Sequence, residues 1–291
     1  MKPWDEISSQ MPSEIRGLTP KKWVKLGKMI LIKIPNELKN YEEELGIAFS
    51  TIKDVETVAI SPLIKGELRE PHSGVNYKGL KVIYGSDTVT EFIEDGIRFR
   101  MDLSQVMWSP GNVGWRSGPR GPQQTRDIYS FKNPKKIVDC FAGVGYFALH
   151  LAKAYPESKI IALEKKPESI SYLRENIALN YLENIEIREG SCLNYEEPAD
   201  VFHLGYMAGT MRFLPHFINL MNDDSVLLYH EAYENRWLGW SSKSDSTKIP
   251  RKLELDLKEI DKNIYISKIA KVKSCGESTS HIVARIEKTT S

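Results

Sequence analysis

A glycine-rich segment follows an acidic residue near the middle of the chain. Its spaced residues are Asp139, Phe141, Ala142, Gly143, Gly145 and Ala148. Glycine is needed where a backbone turns tightly and approaches a ligand, and a helix that follows such a turn presents unpaired N–H groups. Glu164 lies 19 residues beyond Gly145, a spacing at which a carboxylate can accept both hydroxyls of a ribose. Together these features predict a nucleoside site.

Two kinds of nucleoside ligand use this geometry. A dinucleotide would place its pyrophosphate beside the loop, where the carboxylate of Asp139 would repel it. The sequence also offers no second phosphate-binding element. The same carboxylate suits the ammonium group of a methionine. We therefore expect S-adenosylmethionine as the ligand, and a nicotinamide-dependent dehydrogenase is the less favoured alternative.

Apolar runs of strand length alternate with helical segments in the second half of the chain, which predicts a parallel sheet. The five runs begin at Ile137, Ile160, Ile185, Asp200 and Ser225. The clearest helix is predicted to begin at Pro167 and to close at Asn180. Two further runs, 264–270 and 281–286, have no clear long helix between them and indicate an antiparallel pair at the sheet edge. We therefore predict an α/β fold with a seven-stranded, Rossmann-like sheet typical of S-adenosylmethionine-dependent transferases.

The first part of the chain has a different pattern, with short β-rich runs separated by turn residues. This pattern predicts a small α+β domain over residues 1–130, followed by a catalytic domain over residues 131–291. Residues 111–124 are rich in Gly and Pro and are interpreted as a connector. Residues 111–136 carry one acid, Asp127, and six cations, which are Arg116, Arg120, Arg126, Lys132, Lys135 and Lys136. Such a local basic segment suits contacts with RNA phosphates.

Composition excludes several other classes of protein. The 291 residues are 41% hydrophobic and 27% charged with a net charge of +1, which is typical of a globular chain. The apolar runs at 29–32 and 225–229 are far shorter than the roughly 20 residues of a membrane-spanning helix. The N-terminal segment lacks an apolar core, so we expect no secretory signal and a cytoplasmic location. The three cysteines lie far apart in sequence, so we expect no metal site.

Four segments of the second half resemble one family in their order and spacing. They read VDCFAGVGYFALHLAK, ALEKKPESISYLRENIALN, LGYMAGTMRFLPHF and LLYHEAYEN. The family is that of the tRNA guanosine-37 modifying enzymes, which comprises guanosine N1-methyltransferases and the aminocarboxypropyltransferases of wybutosine synthesis. Upstream, LIKIPNEL, KGELREPH and MDLSQVMWSPGN are similar to the RNA-binding middle domain of this family. The resemblance implies S-adenosylmethionine as co-substrate and tRNA as partner.

The segment after the fourth strand distinguishes the two branches of the family. The methyltransferases have Asn-Leu-Pro there, whereas this chain has Leu204-Gly205-Tyr206-Met207, which is similar to the aminocarboxypropyl branch. Tyr206 either stacks on the target base or packs in the protein. His230, in the segment after the fifth strand, is expected to be structural. No residue is identified as the general base.

The resemblance also implies a clamp for the methionine carboxylate, formed by Ser109 and Arg116. An arginine pairs with a carboxylate through two charge-assisted hydrogen bonds, so it can decide which carbon of the sulfonium faces the acceptor. The alternative for Arg116 is a contact with a tRNA phosphate, and this is the favoured role for Arg120.

The chain departs from the family pattern in two places. Trp115 stands where the family commonly has an acid before the arginine, and Ser191-Cys192 replaces the Asp-Asn pair that contacts adenine. Ser191 can still form one hydrogen bond. Cys192 has no nearby base in the sequence, which argues against a reactive thiol.

The resemblance to the aminocarboxypropyl branch therefore implies transfer of the 3-amino-3-carboxypropyl group of S-adenosylmethionine to the tricyclic guanosine derivative at tRNA position 37. Two alternatives remain. One is guanosine-37 N1-methylation on the same scaffold, and the other is a degenerate protein that binds tRNA without turnover. The presence of Asp139, Gly143, Gly145 and Glu164 speaks against the second alternative.

Overall fold

The computed structural model describes residues 3–65, 67–72, 79–207, 209–240 and 247–289. Gly66 and Ala208, which belong to two of the motifs quoted above, lie outside these described residues. The chain divides into two compact units, Met1–Pro110 and Gly111–Ser291. Residues 111–130, which we assigned from sequence to the first domain, thus belong to the second unit. The functional role of each unit stays a prediction.

The unit Met1–Pro110 is an α+β structure. Its helices and strands are α1 (Pro3–Ser9), β1 (Trp23–Leu26), β2 (Met29–Ile32), α2 (Glu42–Ser50), β3 (Thr57–Ile60), β4 (Leu63–Lys65), β5 (Glu70–His72), β6 (Lys81–Tyr84), β7 (Val89–Glu94) and β8 (Ile97–Asp102). A four-stranded sheet has the order β1-β2-β3-β6, while β4-β5 and β7-β8 are separate antiparallel pairs. Ile30, Val58 and Phe49 are fully buried, so α2 and the sheet share one core.

The unit Gly111–Ser291 contains a seven-stranded sheet with helices between its strands. Its elements are α3 (Val113–Arg116), α4 (Gln123–Tyr129), β9 (Lys136–Asp139), α5 (Ala148–Ala154), β10 (Lys159–Glu164), α6 (Pro167–Leu179), β11 (Ile185–Glu189), β12 (Ala199–Met207), α7 (Leu214–Leu220), β13 (Met221–Glu234), α8 (Asn235–Leu238), α9 (Arg251–Ile260), β14 (Ile264–Ser274) and β15 (Thr279–Lys288). The strand order is β11-β10-β9-β12-β13-β15-β14.

Strand direction in this sheet follows the sequence pattern. The first five strands of the unit are parallel, and the apolar runs of β9, β10, β12 and β13 are buried because helices flank a parallel sheet. Strands β14 and β15 are antiparallel to each other at the edge, as predicted. Helix α6 begins at Pro167, and Asn180 follows its last residue. The predicted α/β fold class is confirmed.

The strand order places β9 in the interior of the sheet, between β10 and β12. Ligands of open α/β sheets bind beyond the carboxyl ends of such strands, where the connections diverge. Among the described residues, no helix is both long enough and apolar enough to cross a membrane.

Candidate functional site

The glycine loop follows Asp139 at the carboxyl end of β9. Gly143 and Gly145 have φ values of +57° and +100°, a region that L side chains rarely adopt. A Cβ atom at Gly145 would lie 1.7 Å from Cδ1 of Leu149, so this position has no space for a side chain. The sequence pattern therefore reflects a real constraint on the backbone of this loop.

Glu164, at the end of β10, holds the glycine loop directly. Its Oε2 accepts a hydrogen bond from the backbone N–H of Gly143 at 2.7 Å. Its Oε1 accepts from the N–H groups of Lys165 and Lys166, both at 2.9 Å. A carboxylate has about four acceptor positions, and three are used here. The pairing of Glu164 with both hydroxyls of a ribose stays a prediction, and it requires one of these backbone bonds to be released or shared.

Asp139 is completely buried, and its two carboxylate oxygens differ in their contacts. Oδ1 lies 3.2 Å from Nδ1 of His203 and accepts a long 3.5 Å bond from the N–H of Phe141. Oδ2 is buried and has no hydrogen-bond partner among the residues that the structure describes. A buried carboxylate oxygen without a partner is unfavourable, by about 1–3 kcal/mol or more. An ammonium group of a ligand at this oxygen would remove that penalty.

Arg116 ends helix α3 and is 2% exposed. Its guanidinium carbon lies 4.6 Å from the ring centre of Tyr146, a residue of the glycine loop. Sequence reasoning missed Tyr146, whose only signal was its position beside Gly145. The preceding Trp115 is also buried.

Arg120 and Ser109, which were also predicted to contact a ligand or tRNA, are placed differently from Arg116. Arg120 is exposed at the end of a 3-10 turn, Gly118–Arg120. Burial favours a small-ligand contact for Arg116, and exposure favours a phosphate contact for Arg120. Ser109 belongs to the first unit, and its part in a carboxylate clamp stays a prediction.

An aromatic cluster lies at the adjoining ends of β9 and β12. Phe141 stacks on Tyr206 with ring centres 5.0 Å apart and an interplanar angle of 30°. Phe213 meets Phe141 edge-on, also at 5.0 Å. The guanidinium of Arg212 lies 5.9 Å from the Tyr206 ring centre. The predicted cofactor contact Phe141 and the predicted base contact Tyr206 therefore touch each other, and sequence reasoning missed Arg212 and Phe213.

Ser191 and Cys192 follow β11 and form the start of a 3-10 turn. Ser191 is exposed, and its Oγ accepts a hydrogen bond from the N–H of Leu193 at 3.3 Å. Burial raises the pKa of the Cys192 thiol to about 11, so this thiol is protonated at neutral pH. The structure thus supports the expectation that Cys192 is not a nucleophile. Contacts of these two residues with adenine stay a prediction.

Glu231 on β13 holds the loop that follows β12, and sequence reasoning missed this role. Its Oε1 accepts from the N–H of Gly209 at 3.0 Å, and its Oε2 accepts from the N–H of Met211 at 3.2 Å. The side chain is 7% exposed. Glu231 and Glu164 therefore act alike, because each fixes a strand-end loop from a neighbouring strand.

Two family models match the chain in consecutive segments. Residues 5–88 match the TYW2 N-terminal domain, and residues 90–256 match the TRM5/TYW2 methyltransferase domain. The second match alone covers more than half of the chain. The chain belongs to the TRM5/TYW2 family. The resemblance inferred from the motifs is thereby confirmed, as is the expectation of an enzyme that uses S-adenosylmethionine as co-substrate.

Individual TRM5/TYW2 relatives cover both units of the chain. A tRNA(Phe) (4-demethylwyosine(37)-C(7)) aminocarboxypropyltransferase of Pyrococcus horikoshii is 28% identical over 283 residues, which are 95% of this chain and 92% of that protein. A protein of the same name from Methanocaldococcus jannaschii is 31% identical over 213 residues, 72% of this chain and 78% of the relative. The crystal structure of P. horikoshii TYW2 in complex with MeSAdo superposes with a TM-score of 0.78 at 26% identity, covering 100% of this chain and 99% of that one.

Proposed function

We propose that this chain transfers the 3-amino-3-carboxypropyl group of S-adenosylmethionine to the tricyclic guanosine derivative at position 37 of tRNA. The observation that carries the proposal is its similarity, over 95% of its length, to an enzyme named for this transfer. The geometry of the site supports the same reaction.

The reaction is a displacement at a carbon next to the sulfonium. Three carbons are bonded to that sulfur, and the carbon that is aligned with the nucleophile is transferred. Attack by carbon C7 of the tricyclic base on the γ-carbon of the methionine chain forms a carbon–carbon bond and breaks the carbon–sulfur bond. The products are the substituted base, which loses a proton to solvent or protein, and methylthioadenosine. Positioning therefore decides the outcome.

The residues around the glycine loop have the charges needed to position the amino-acid part of S-adenosylmethionine. The buried guanidinium of Arg116 would pair with the carboxylate, and Oδ2 of Asp139 would accept from the ammonium. Both charged groups are bonded to the α-carbon, so fixing the two of them would orient that carbon and set the direction of the γ-carbon. Ser109 would assist Arg116.

Further residues would hold the nucleoside and the tRNA. Glu164 would accept from a ribose hydroxyl, Phe141 would pack against the nucleoside, and Tyr206 would contact the target base. The backbone at Gly143 and Gly145 would allow the close approach, while Ser191 and Cys192 would lie near adenine. Arg120, which is exposed, would contact a tRNA phosphate. Because its substrate would be tRNA, we also propose a cytoplasmic location.

Two alternatives make different predictions. A guanosine N1-methyltransferase of the same family would leave S-adenosylhomocysteine, and this chain has Gly205-Tyr206 where that branch has Asn and Leu of its Asn-Leu-Pro segment. A binding protein without turnover would leave S-adenosylmethionine intact.

Product analysis separates these possibilities in one experiment. The purified chain is incubated with S-adenosylmethionine and with tRNA that carries the unsubstituted tricyclic base. We expect methylthioadenosine in amounts that match the modified tRNA, as measured by mass spectrometry. Asp139→Asn serves as the impaired control. S-adenosylhomocysteine in place of methylthioadenosine would support the methyltransferase, and no product would support the binding protein.

A further inference from the structure

A chain of buried polar side chains runs from the glycine loop through the centre of the sheet. Its members come from α4, β9, β12, β13 and β15, and they are at most 2% exposed. Asp139 Oδ1 lies 3.2 Å from His203 Nδ1, and His203 Nε2 lies 3.0 Å from the Tyr129 hydroxyl. The same hydroxyl lies 2.9 Å from His230 Nε2, and His230 Nδ1 lies 2.9 Å from His281 Nε2. Four hydrogen bonds thus link five residues, and a longer fifth contact of 3.3 Å joins Nε2 of His203 to Nε2 of His230.

One assignment of donors and acceptors satisfies every bond in this series. With Asp139 as a carboxylate, which only accepts, and with neutral rings, Nδ1–H of His203 donates to Asp139 and its Nε2 accepts. The Tyr129 O–H then donates to His203, and its oxygen accepts from Nε2–H of His230. Nδ1 of His230 in turn accepts from Nε2–H of His281. Each of these donors and acceptors is used once, with every ring neutral.

The surroundings of His230 and Tyr129 agree with this assignment. Burial, together with the neighbouring rings of His203 and His281, lowers the pKa of His230 well below its ordinary value. Burial and the charge of Asp139 raise the pKa of Tyr129, which keeps its hydroxyl protonated and able to donate.

Packing prevents the His203 ring from turning away from Asp139. The ring centre of Phe147 lies 4.2 Å from that of His203. A Cβ atom at Gly205 would lie 2.7 Å from Cε1 of His203, so the backbone closes tightly around the ring. Residues His203 and Asp139 are also register partners on neighbouring parallel strands. The ring is therefore held against one oxygen of the carboxylate.

We propose that His203 is a positioning residue whose Nδ1–H, fixed by the chain through Tyr129, binds Oδ1 of Asp139 and leaves Oδ2 to receive the ammonium group of S-adenosylmethionine. This inference rests on the proposed function, because it assumes that the amino-acid part of the ligand lies at Asp139. The inference explains the orientation of the Asp139 carboxylate by a residue outside the glycine loop, namely His203.

Two substitutions at His203 separate positioning from packing. His203→Leu removes the N–H donor, whereas the amide of His203→Asn can replace Nδ1–H and still donate to Asp139. Calorimetry would compare the affinity for S-adenosylmethionine with that for methylthioadenosine, which lacks the amino-acid group. For His203→Leu we expect about a tenfold loss for the first ligand and no more than about a twofold change for the second. His203→Asn should recover most of the loss.

A matched control lies outside this series of hydrogen-bonded side chains. His216 on α7 is also hydrogen-bonded, its Nε2 lying 2.7 Å from the carbonyl oxygen of Tyr195. His216→Leu should leave the ratio of the two affinities unchanged. Equal weakening of both ligands in His203→Leu, or no recovery in His203→Asn, would overturn the proposal. Failure of the unchanged protein to bind S-adenosylmethionine would instead overturn the proposed function.

The tautomers provide a second test that needs no substitution. Nitrogen-15 NMR of the histidine rings should show the Nδ1–H form for His203 and the Nε2–H form for His230 and His281 in the full chain. An Nε2–H form of His203 would place a lone pair against the carboxylate, and the proposal would be wrong even if the enzyme is active.

Discussion

The guanidinium of Arg116 lies over the ring of Tyr146, with 4.6 Å between its central carbon and the ring centre. A buried cation from helix α3 is thereby attached to the glycine loop by a cation–π contact. Such a contact holds the guanidinium in place. The N–H bonds lie in the guanidinium plane, so stacking on the ring does not change their direction. Arg116 is thus a residue of the loop region in space, although 27 residues separate it from Gly143 in sequence.

Replacing Arg116 by Ala should reduce the affinity for S-adenosylmethionine about tenfold or more and leave that for methylthioadenosine within about twofold. The reason is that methylthioadenosine has no carboxylate to lose its charge-assisted partner. Titration calorimetry with both nucleosides measures the difference.

The matched control is Arg120→Ala, since this arginine is exposed four residues further along. It should leave both nucleoside affinities unchanged and lower tRNA affinity, with a salt dependence shallower by about one unit of slope. If Arg116→Ala shows this tRNA behaviour instead, Arg116 is a phosphate contact and the carboxylate clamp is wrong.

Glu164→Ala should weaken nucleoside binding by about 1–3 kcal/mol, the range for hydrogen bonds to a charged group. Both nucleosides should lose affinity equally, because the ribose is common to them. Glu189→Ala at the end of the neighbouring strand β11 is the control, since its exposed carboxylate pairs with Arg174. Unchanged nucleoside affinity in folded Glu164→Ala would remove Glu164 from the site.

A fragment that covers residues 111–291 should bind nucleosides, whereas one that covers residues 131–291 should not. The shorter fragment lacks α3, α4 and the buried side chain of Tyr129, which contacts His203 and packs on Phe147. Thermal unfolding with and without methylthioadenosine measures this difference. Equal ligand stabilisation of both fragments would contradict the role given to residues 111–130.

The longer fragment also tests the first unit. We expect it to bind tRNA more weakly than the full chain at matched salt, because it lacks residues 1–110, which the sequence predicts to be an RNA-binding domain. Equal tRNA affinity would show that residues 1–110 do not bind RNA.

Cysteine reactivity should differ between exposed and buried thiols. Cys275 is exposed, whereas burial raises the pKa of Cys192 to about 11. Since the thiolate is the reactive form, alkylation of Cys192 in the folded protein should be slow near pH 7 and rise about tenfold per pH unit toward that pKa. Peptide mass spectrometry after iodoacetamide treatment measures both sites. Rapid labelling of Cys192 at neutral pH would contradict its burial.

The sequence predicted the glycine loop and the neighbouring Glu164 because both depend on local spacing. The strand, the tight turn and the helix are consecutive in the chain. Glu164 ends the next strand, which a single crossover connection places beside the first. The bond between Gly143 and Glu164 confirms that these two segments lie together.

Other parts of the site depend on strand order, which the linear pattern does not reveal. Asp139 meets His203 because β12 pairs with β9 although β10 and β11 lie between them in sequence. Arg116 reaches Tyr146 because residues 111–130 belong to the second unit. The Gly and Pro content of that segment suggested a connector, but burial of Trp115, Ile128 and Tyr129 gives it a packed position.

The bonds from Glu164 and Glu231 to the two strand-end loops have a consequence for ligand recognition. Each loop is fixed by a side chain of a neighbouring strand. Apart from the one bond at Glu164 that a ribose would release or share, these backbones are already held in place, so their conformational entropy counts little against the affinity of a nucleoside. Discrimination between related nucleosides should then appear mainly in how long each stays bound, with similar association rates for all of them.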